Sequence, residues 1–226
     1  MRIKQYGITL RRVEKRDIEL IRRSRNSEAI KQKMIYREHI TKEMQLKWFK
    51  SIEKNPNQIY YIIIQNRKKV GLINAKNYNL KNKLTESGLF LFSQEYYNTH
   101  IPVIASLIMI STAFYALNEN VSYIRVLKTN KKALNYNKSL GYFIDKEKEN
   151  YYIMKLTKNS FEQKTSKLRK AIKNIYGKNK LEFITEPIDY EIGIGDKFTK
   201  EINNIPSKII LKKLKKENYL KIILNL

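Results

Sequence analysis

The sequence predicts an α/β (α+β) chain: a mixed, mostly antiparallel sheet flanked by helices, with a small αβ extension at the C-terminal end. Three observations carry that prediction. Runs of β-branched and aromatic residues recur at strand length, QIYYIIIQ at 58–65, VGLINAKNY at 70–78 and LTESGLFLF at 84–92. The segment Ile101–Leu117 is uncharged over helical length and has a strand on either side, which makes it a buried crossover between parallel strands. Finally, TNKKALNYNKSLGYF (129–143) reads as a helix closed by Gly141 and leading into a strand.

Taken in order, ITLRRV (8–13) is a short strand, and Asp17 caps or opens a helix through IELIRRSRN. A second helical segment follows near 28–36. In HITKEMQLKWFKSI, Thr41 is the expected N-cap, and Met44, Leu46, Trp48, Phe49 and Ile52 give an apolar face. NRKK turns a hairpin between the runs at 58–65 and 70–78. Gly88, inside the third run, marks a bulge or a close approach. The 17 uncharged residues from Ile101 fall slightly short of a membrane span, and Ser106, Ser111 and Thr112 interrupt them. Pro102 fits the first turn of this helix, where its missing N–H costs nothing. VSYIRVLK (121–128) is the strand beyond, and NYYIMKLT (150–157) ends a unit ordered β-α-α-β-β-β-α-β-α-β. Residues 1–158 form this domain, and 159–226 a basic extension. In the extension KTSKLRKAIKNIYG reads as a helix ending at Gly177, LEFITEP and IDYEIGIG as extended, and PSKIILKKLKKENYLKIILNL as a helix and then a strand. The lysines of KKLKK would be the solvated face of that helix.

With 226 residues the chain can bury a substantial core. It has no cysteine, so disulfides and thiolate chemistry are excluded and a cytoplasmic setting is expected. The first residues hold no apolar stretch of signal-peptide length. The formal charge of +25 invites a nucleic-acid reading. Against it, Lys, Ile, Asn and Tyr run high together, the pattern of AT-rich codons. The charge is also spread, with 31 basic against 13 acidic residues in 1–158 and 15 against 8 in 159–226. No helix-turn-helix, zinc-ligand or aromatic-platform signature accompanies it. A basic surface that attracts phosphorylated small molecules explains the same charge.

Asn130-x-x-Ala133-x-x-x-Asn137-x-x-x-Gly141-Tyr142, preceded by VSYIRVLK, resembles the late N-x-x-A…L-G-F motif of the GNAT N-acetyltransferase superfamily. Arg25-Asn26 followed by Ile40-Thr41-x-Glu43-x-x-x-x-Trp48-Phe49 is similar to the branch of ribosomal-protein and nucleotide-amino-sugar acetyltransferases, closest to the latter. The resemblance covers residues 1 to about 158. It implies a GNAT fold, acetyl-CoA as acyl donor, and transfer of acetyl to a primary amine, foremost that of an amino-sugar nucleotide used in surface polysaccharide or glycan synthesis. Other partners it leaves open are a homodimer and, as alternative acceptor, a protein N-terminus or lysine. A degenerate fold serving as a scaffold is the non-enzymatic alternative.

A pyrophosphate would sit at the N-terminus of the helix from Ile101, where backbone N–H groups and the positive end of the dipole meet it. The superfamily's loop there is glycine-rich. This chain has Asn98, Thr99, His100, Ile101, Pro102 and Val103. His100 and Pro102 occupy both glycine positions, so the loop either binds through the remaining amides or has lost the cofactor. Leu91, Phe92 and Ser93 would offer backbone groups to the pantetheine arm, with Asn130 and Asn137 beside the cofactor. Where many members carry a tyrosine acid, this chain has Asn137 with Tyr136 adjacent, for catalysis or for packing. Glu86 holds the place of the base that must deprotonate the acceptor ammonium, or else faces solvent. The resemblance assigns the acceptor to Arg25, Asn26, His39 and Trp48. Arg25 would grip a diphosphate, and Trp48 would stack on a sugar or base unless it is core.

Overall fold

The computed structural model describes residues 1–55, 57–79, 84–177, 180–205 and 207–225. Strands β1 (Arg2–Gln5) and β2 (Ile8–Arg12) form a hairpin through Tyr6 and Gly7, both at positive φ (51° and 74°). That geometry matches the twist of a two-residue hairpin. Strand β1 has no forerunner in the sequence reading, because four residues of Arg-Ile-Lys-Gln give too short an alternation and Tyr6 is not a turn-former. Helix α1 (Ile18–Asn26) follows a 3₁₀ turn at Lys15–Asp17. Asp17 makes no side-chain cap to α1, as had been expected of it. It bonds back to the Glu14 N–H at 2.9 Å and binds Arg11 through both oxygens at 2.8 Å and Lys69 at 2.7 Å, fully buried.

The second helix is shorter than expected: α2 spans only Glu28–Lys31. Helix α3 (Lys42–Glu53) starts as its sequence says, with the Thr41 hydroxyl accepting from the Met44 N–H at 3.2 Å. Its inner face is Gln45, Phe49 and Ile52, whereas Met44 is exposed. Strands β3 (Gln58–Gln65) and β4 (Lys68–Asn79) turn at Asn66 and Arg67, both at positive φ. Strand β5 (Leu84–Leu91) leads to helix α4 (Ile101–Ser111), which is nearly all buried and runs on into a π-helical turn at Thr112–Ala116. Strand β6 (Val121–Leu127), helix α5 (Lys131–Ser139) and strands β7 (Phe143–Glu147) and β8 (Tyr151–Thr157) complete this part.

Residues 159–226 extend the same sheet. Helix α6 (Lys158–Tyr176) ends at Gly177 as expected, and β9 (Leu181–Thr185) is extended as expected. IDYEIGIG is not extended. It lies in α7 (Pro187–Glu191) and α8 (Ile194–Ile202), since Pro187 at the first helical turn and the Glu186 capping box start one helix and Gly193 at φ 77° turns into the next. KKLKK belongs to no helix either. It lies in β10 (Ile210–Lys216), paired with β11 (Tyr219–Leu224) across a turn with Asn218 at φ 51°. Lysines there mark a free sheet edge, where charge discourages pairing with other chains.

Among the described residues the sheet has eleven strands in the order β10-β11-β9-β1-β2-β3-β4-β5-β6-β8-β7. All neighbours are antiparallel except β5 and β6, which α4 joins. Alternation decides the layers. In β3, Ile59, Tyr61 and Ile63 enter a large cluster with α4, α6 and α8, while Ile62 enters a smaller one with α1 and α3. The large cluster runs unbroken from Ile104 to Phe183, Phe198 and Leu220, so the extension shares one core with the rest. Among the described residues no helix is long and apolar enough to cross a membrane.

The Asp17 cluster fixes how α1 meets β2. Burial alone would raise the Asp17 carboxyl, but hydrogen bonds from Lys69, the Glu14 N–H and Arg11 outweigh it and hold it below the usual carboxylate range. Its contribution to stability is therefore present above pH about 4 and is lost as pH falls through the lower folded-state value. Asp17→Asn should cost about 3 kcal/mol or more in urea unfolding at neutral pH, because Arg11 stays buried beside it. The difference between the two proteins should narrow below pH about 4.

Candidate active site

Among the described residues, strands β5 and β6 pair only at Leu84↔Val121, Thr85↔Ser122 and Glu86↔Tyr123. Beyond Glu86, β5 continues along β4 and β6 along β8, but not along each other, so the sheet opens into a wedge. No bulge makes this opening: the β4–β5 register is regular from Gly71↔Leu91 to Lys76↔Glu86. Gly88 is instead a close approach, since a Cβ there would lie 2.9 Å from the Asn74 Oδ1. The Phe92 N–H donates to the Val70 carbonyl at 2.9 Å. Alternation then turns the amides of Ser87, Leu89 and Leu91 into the wedge, where an extended amide-bearing arm can pair with them. Leu91 is thus placed by its backbone, its side chain being core. Phe92 points its N–H the other way, and Ser93 opens a 3₁₀ turn at Gln94–Tyr96. Leu89 joins this edge, a residue that sequence reasoning left unassigned although the strand's phase relative to β4 singles it out.

Helix α4 begins at the wide end of the wedge. The Thr99 hydroxyl donates to the Tyr96 carbonyl at 2.8 Å and accepts from the Ile101 N–H at 3.3 Å. Pro102 has no N–H. The N–H groups of His100 and Val103 have no acceptor among the described residues. Two backbone donors and the positive helix end remain for an anion, beside the exposed Asn98, with Lys33 Nζ 4.4 Å from the Tyr97 ring adding charge. His100 is held at the rim, its Nε2 2.8 Å from Gln65 Nε2 and its ring 6.3 Å from that of Tyr176.

The Asn130 side chain accepts from the Ala133 N–H at 3.1 Å, which is the physical content of the N-x-x-A spacing: it starts α5. Asn137, expected at the cofactor, donates its amide to the Ala133 carbonyl at 2.8 Å in its own helix. The Tyr136 hydroxyl lies 2.8 Å from both the Pro102 carbonyl and the Ser106 hydroxyl, and burial pushes its pKa far up. Its place is the contact that locks α5 onto the first turn of α4. Gly141, at φ 101°, could not carry a side chain, because a Cβ would meet the Ser160 carbonyl at 2.5 Å.

On the α1/α3 face of the wedge's closed end, Glu86 Oε1 accepts from Arg125 at 2.9–3.0 Å and pairs with Lys76 at 3.1 Å. Gly88 and Phe90 follow it on the same face by alternation, and the Arg25 guanidinium lies 5.9 Å from the Phe90 ring. Arg25 reaches the Tyr36 carbonyl at 3.4 Å, and its buried Nε has no hydrogen-bond partner. Burial holds its pKa below the ordinary arginine value. Trp48 packs edge-on against Tyr60 at 5.1 Å, as part of the smaller core. Asn26 is not available to a ligand: its amide exchanges two 2.9 Å bonds with the backbone of Ile40, fastening the 32–41 loop to α1. His39 lies exposed on that loop. Glu86 thus stands at the wedge with Lys76 and Arg125, which the sequence did not suggest, and Arg25 lies further along the same strand face at Phe90.

No family model and no curated protein matches the chain. Solved structures do. An apo structure of FdhC, a nucleotide-linked sugar GNAT, is similar with a TM-score of 0.63 over 75% of this chain and 97% of that one, at 19% identity. The Campylobacter jejuni N-acetyltransferase PseH in complex with acetyl coenzyme A gives 0.52 over 67% and 99%, at 23% identity. The Vibrio cholerae spermidine N-acetyltransferase in complex with CoA and spermine gives 0.60 over 69% and 98%, at 15% identity. The chain has the GNAT fold. In this GNAT fold the N-x-x-A asparagine is a cap and the adjacent tyrosine a lock. Accordingly, Asn130→Ala and Tyr136→Phe should each cost about 1 kcal/mol in thermal or urea unfolding.

Proposed function

We propose that the protein is an acetyl-CoA-dependent N-acetyltransferase acting on the primary amine of an anionic acceptor, an amino-sugar nucleotide in surface polysaccharide or glycan synthesis. The observation that supports the acceptor class most is the charge around Glu86. Lys76 and Arg125 hold its carboxylate, Arg25 stands over Phe90 further along the same strand face, and Phe90 and Tyr60 supply apolar surface beside them. Such a cleft attracts a diphosphate and repels a polyamine. Arg25, with a buried Nε lacking a partner, gains most from an incoming phosphate.

The fit to the donor rests on two features of the chain. The amides of His100 and Val103 and the positive end of α4 suit a pyrophosphate, and the amides of Leu89 and Leu91 suit a pantetheine arm. Bound there, the donor supplies an activated acyl carbonyl. Glu86, directly or through water, takes the proton from the acceptor ammonium. The freed amine attacks the thioester carbonyl, a C–N bond forms, the C–S bond breaks, and the thiolate leaves to be protonated by solvent. The Leu89 N–H is the donor that would polarise the carbonyl as charge develops on its oxygen.

Calorimetry with acetyl-CoA tests the donor site. Micromolar binding supports the reading. If wild type fails to bind and His100→Gly/Pro102→Gly restores binding, the cofactor site has been lost and the scaffold alternative holds. With nucleotide amino sugars as acceptors, Arg25→Ala should raise KM about 10- to 100-fold, as expected for a lost charged hydrogen bond. Glu86→Gln should lower kcat by about 10²- to 10⁴-fold. Spermidine should be a poor acceptor, and rapid turnover of it would overturn the anionic class.

A further inference from the structure

A cavity lies behind the closed end of the wedge, on the face of the sheet opposite Glu86. Its volume is about 50 Å³, room for about three or four water-sized groups. Ile59 and Tyr61 of β3, Met109 and Ala113 from α4 and its π-helical turn, and Phe183 and Phe198 from the extension give it an apolar wall. Thr85, Ser87 and Ser122 line it from the two parting strands. Ser87 is the first residue of β5 past the last β5–β6 pair, so the cavity touches the point where the wedge closes. The Ser87, Ser122 and Tyr142 hydroxyls form a chain at 3.0 Å spacings there, and burial pushes the Tyr142 hydroxyl up to about 12. Alternate side chains of one strand thus serve two spaces, Glu86 facing the acceptor and Thr85 and Ser87 the cavity.

We propose that this cavity receives the acyl chain of the donor, so that besides acetyl the protein accepts short-chain acyl groups longer than acetyl. The proposal rests on the acyl-CoA reading above and specifies its donor. A pyrophosphate at the first turn of α4 fixes one end of the donor. From Phe92 back to Ser87 is five strand residues, roughly 17 Å, within reach of an extended pantetheine arm, so the thioester arrives at the vertex with its acyl group directed past it. The amine comes from the Glu86 face, which leaves the opposite face for the hydrocarbon. The π-helical turn is where the wall is made roomy, since Ala113 presents only a methyl group there. The bonds made and broken are those of acetyl transfer; only the alkyl group on the carbonyl differs.

The test is calorimetric and needs no acceptor: CoA, acetyl-CoA, butyryl-CoA and hexanoyl-CoA are titrated into wild type, Ala113→Phe and Ala75→Leu. Ala75 faces Ser87 across β4 and β5 and lines the cavity from a different element, so the two substitutions fill it independently. Thermal unfolding of each variant establishes that it is folded. Butyryl-CoA should bind wild type on the order of tenfold more tightly than acetyl-CoA, from two further buried methylenes. In both variants that ratio should fall towards one. Equal or weaker binding of butyryl-CoA and hexanoyl-CoA by wild type, with acetyl-CoA still bound, overturns the acyl pocket and leaves the acetyltransferase reading intact. A preference that survives in both filled variants places the chain elsewhere and also overturns it. Failure of every CoA species to bind removes the underlying reading, and the pocket with it.

Discussion

The gap in the middle of the sheet depends on three residue pairs. Among the described residues, parallel pairing of β5 with β6 holds only from Leu84↔Val121 to Glu86↔Tyr123 and then stops. Had it continued, the amides of Leu89 and Leu91 would be consumed in the ladder and no strand edge would exist inside the sheet. Because it stops, a strand edge whose donors and acceptors lack a neighbouring strand is preserved in the middle of the sheet. Such groups are costly without partners. The fold tolerates them because a solvated wedge, or a ligand, supplies what the missing strand does not.

The same parting organises charge. On one side of the sheet, Glu86 pairs with Lys76 and Arg125 and Arg25 stands over Phe90; at the wide end, α4 presents its positive terminus, with Lys33 over the nearby Tyr97 ring. Basic side chains thus flank the gap both at its closed end and towards its wide end. The basic side chains of these two regions come from α1, the turn after α2, β4 and β6. None of them forms a run in the sequence, which is why the overall charge of +25 pointed to no particular surface.

Much of the architecture was legible from periodicity. The hairpin β3–β4, the apolar crossover helix, the Thr41 cap and the Gly141 stop are local devices whose chemistry is written in neighbouring residues. The failures were of a different kind. KKLKK and IDYEIGIG were misread because lysine alternation at a sheet edge and short helices after Pro187 and Gly193 depend on what packs beside them. The same holds for the site. Glu86 and Arg25 are expectations of the family resemblance, not of any pattern of their own in the sequence. That Asn26 is spent on Ile40, and Asn137 on Ala133, could not be seen, because an asparagine that grips a ligand and one that grips backbone look alike in sequence. Leu89 was equally hidden, since its importance lies in which way its amide points.

The pairing of β1 with β9 has a consequence for how the chain must assemble. Ile3 sits opposite Phe183, 180 positions away, so β1 lacks its outer neighbour until β9 has been made. Closing so long a loop is entropically slow. Until it closes, β1 presents an open hydrogen-bonding edge at the flank of a largely finished sheet. The C-terminal strands therefore act as the bolt of the fold, and a chain ending after α6 would carry an edge available to other chains.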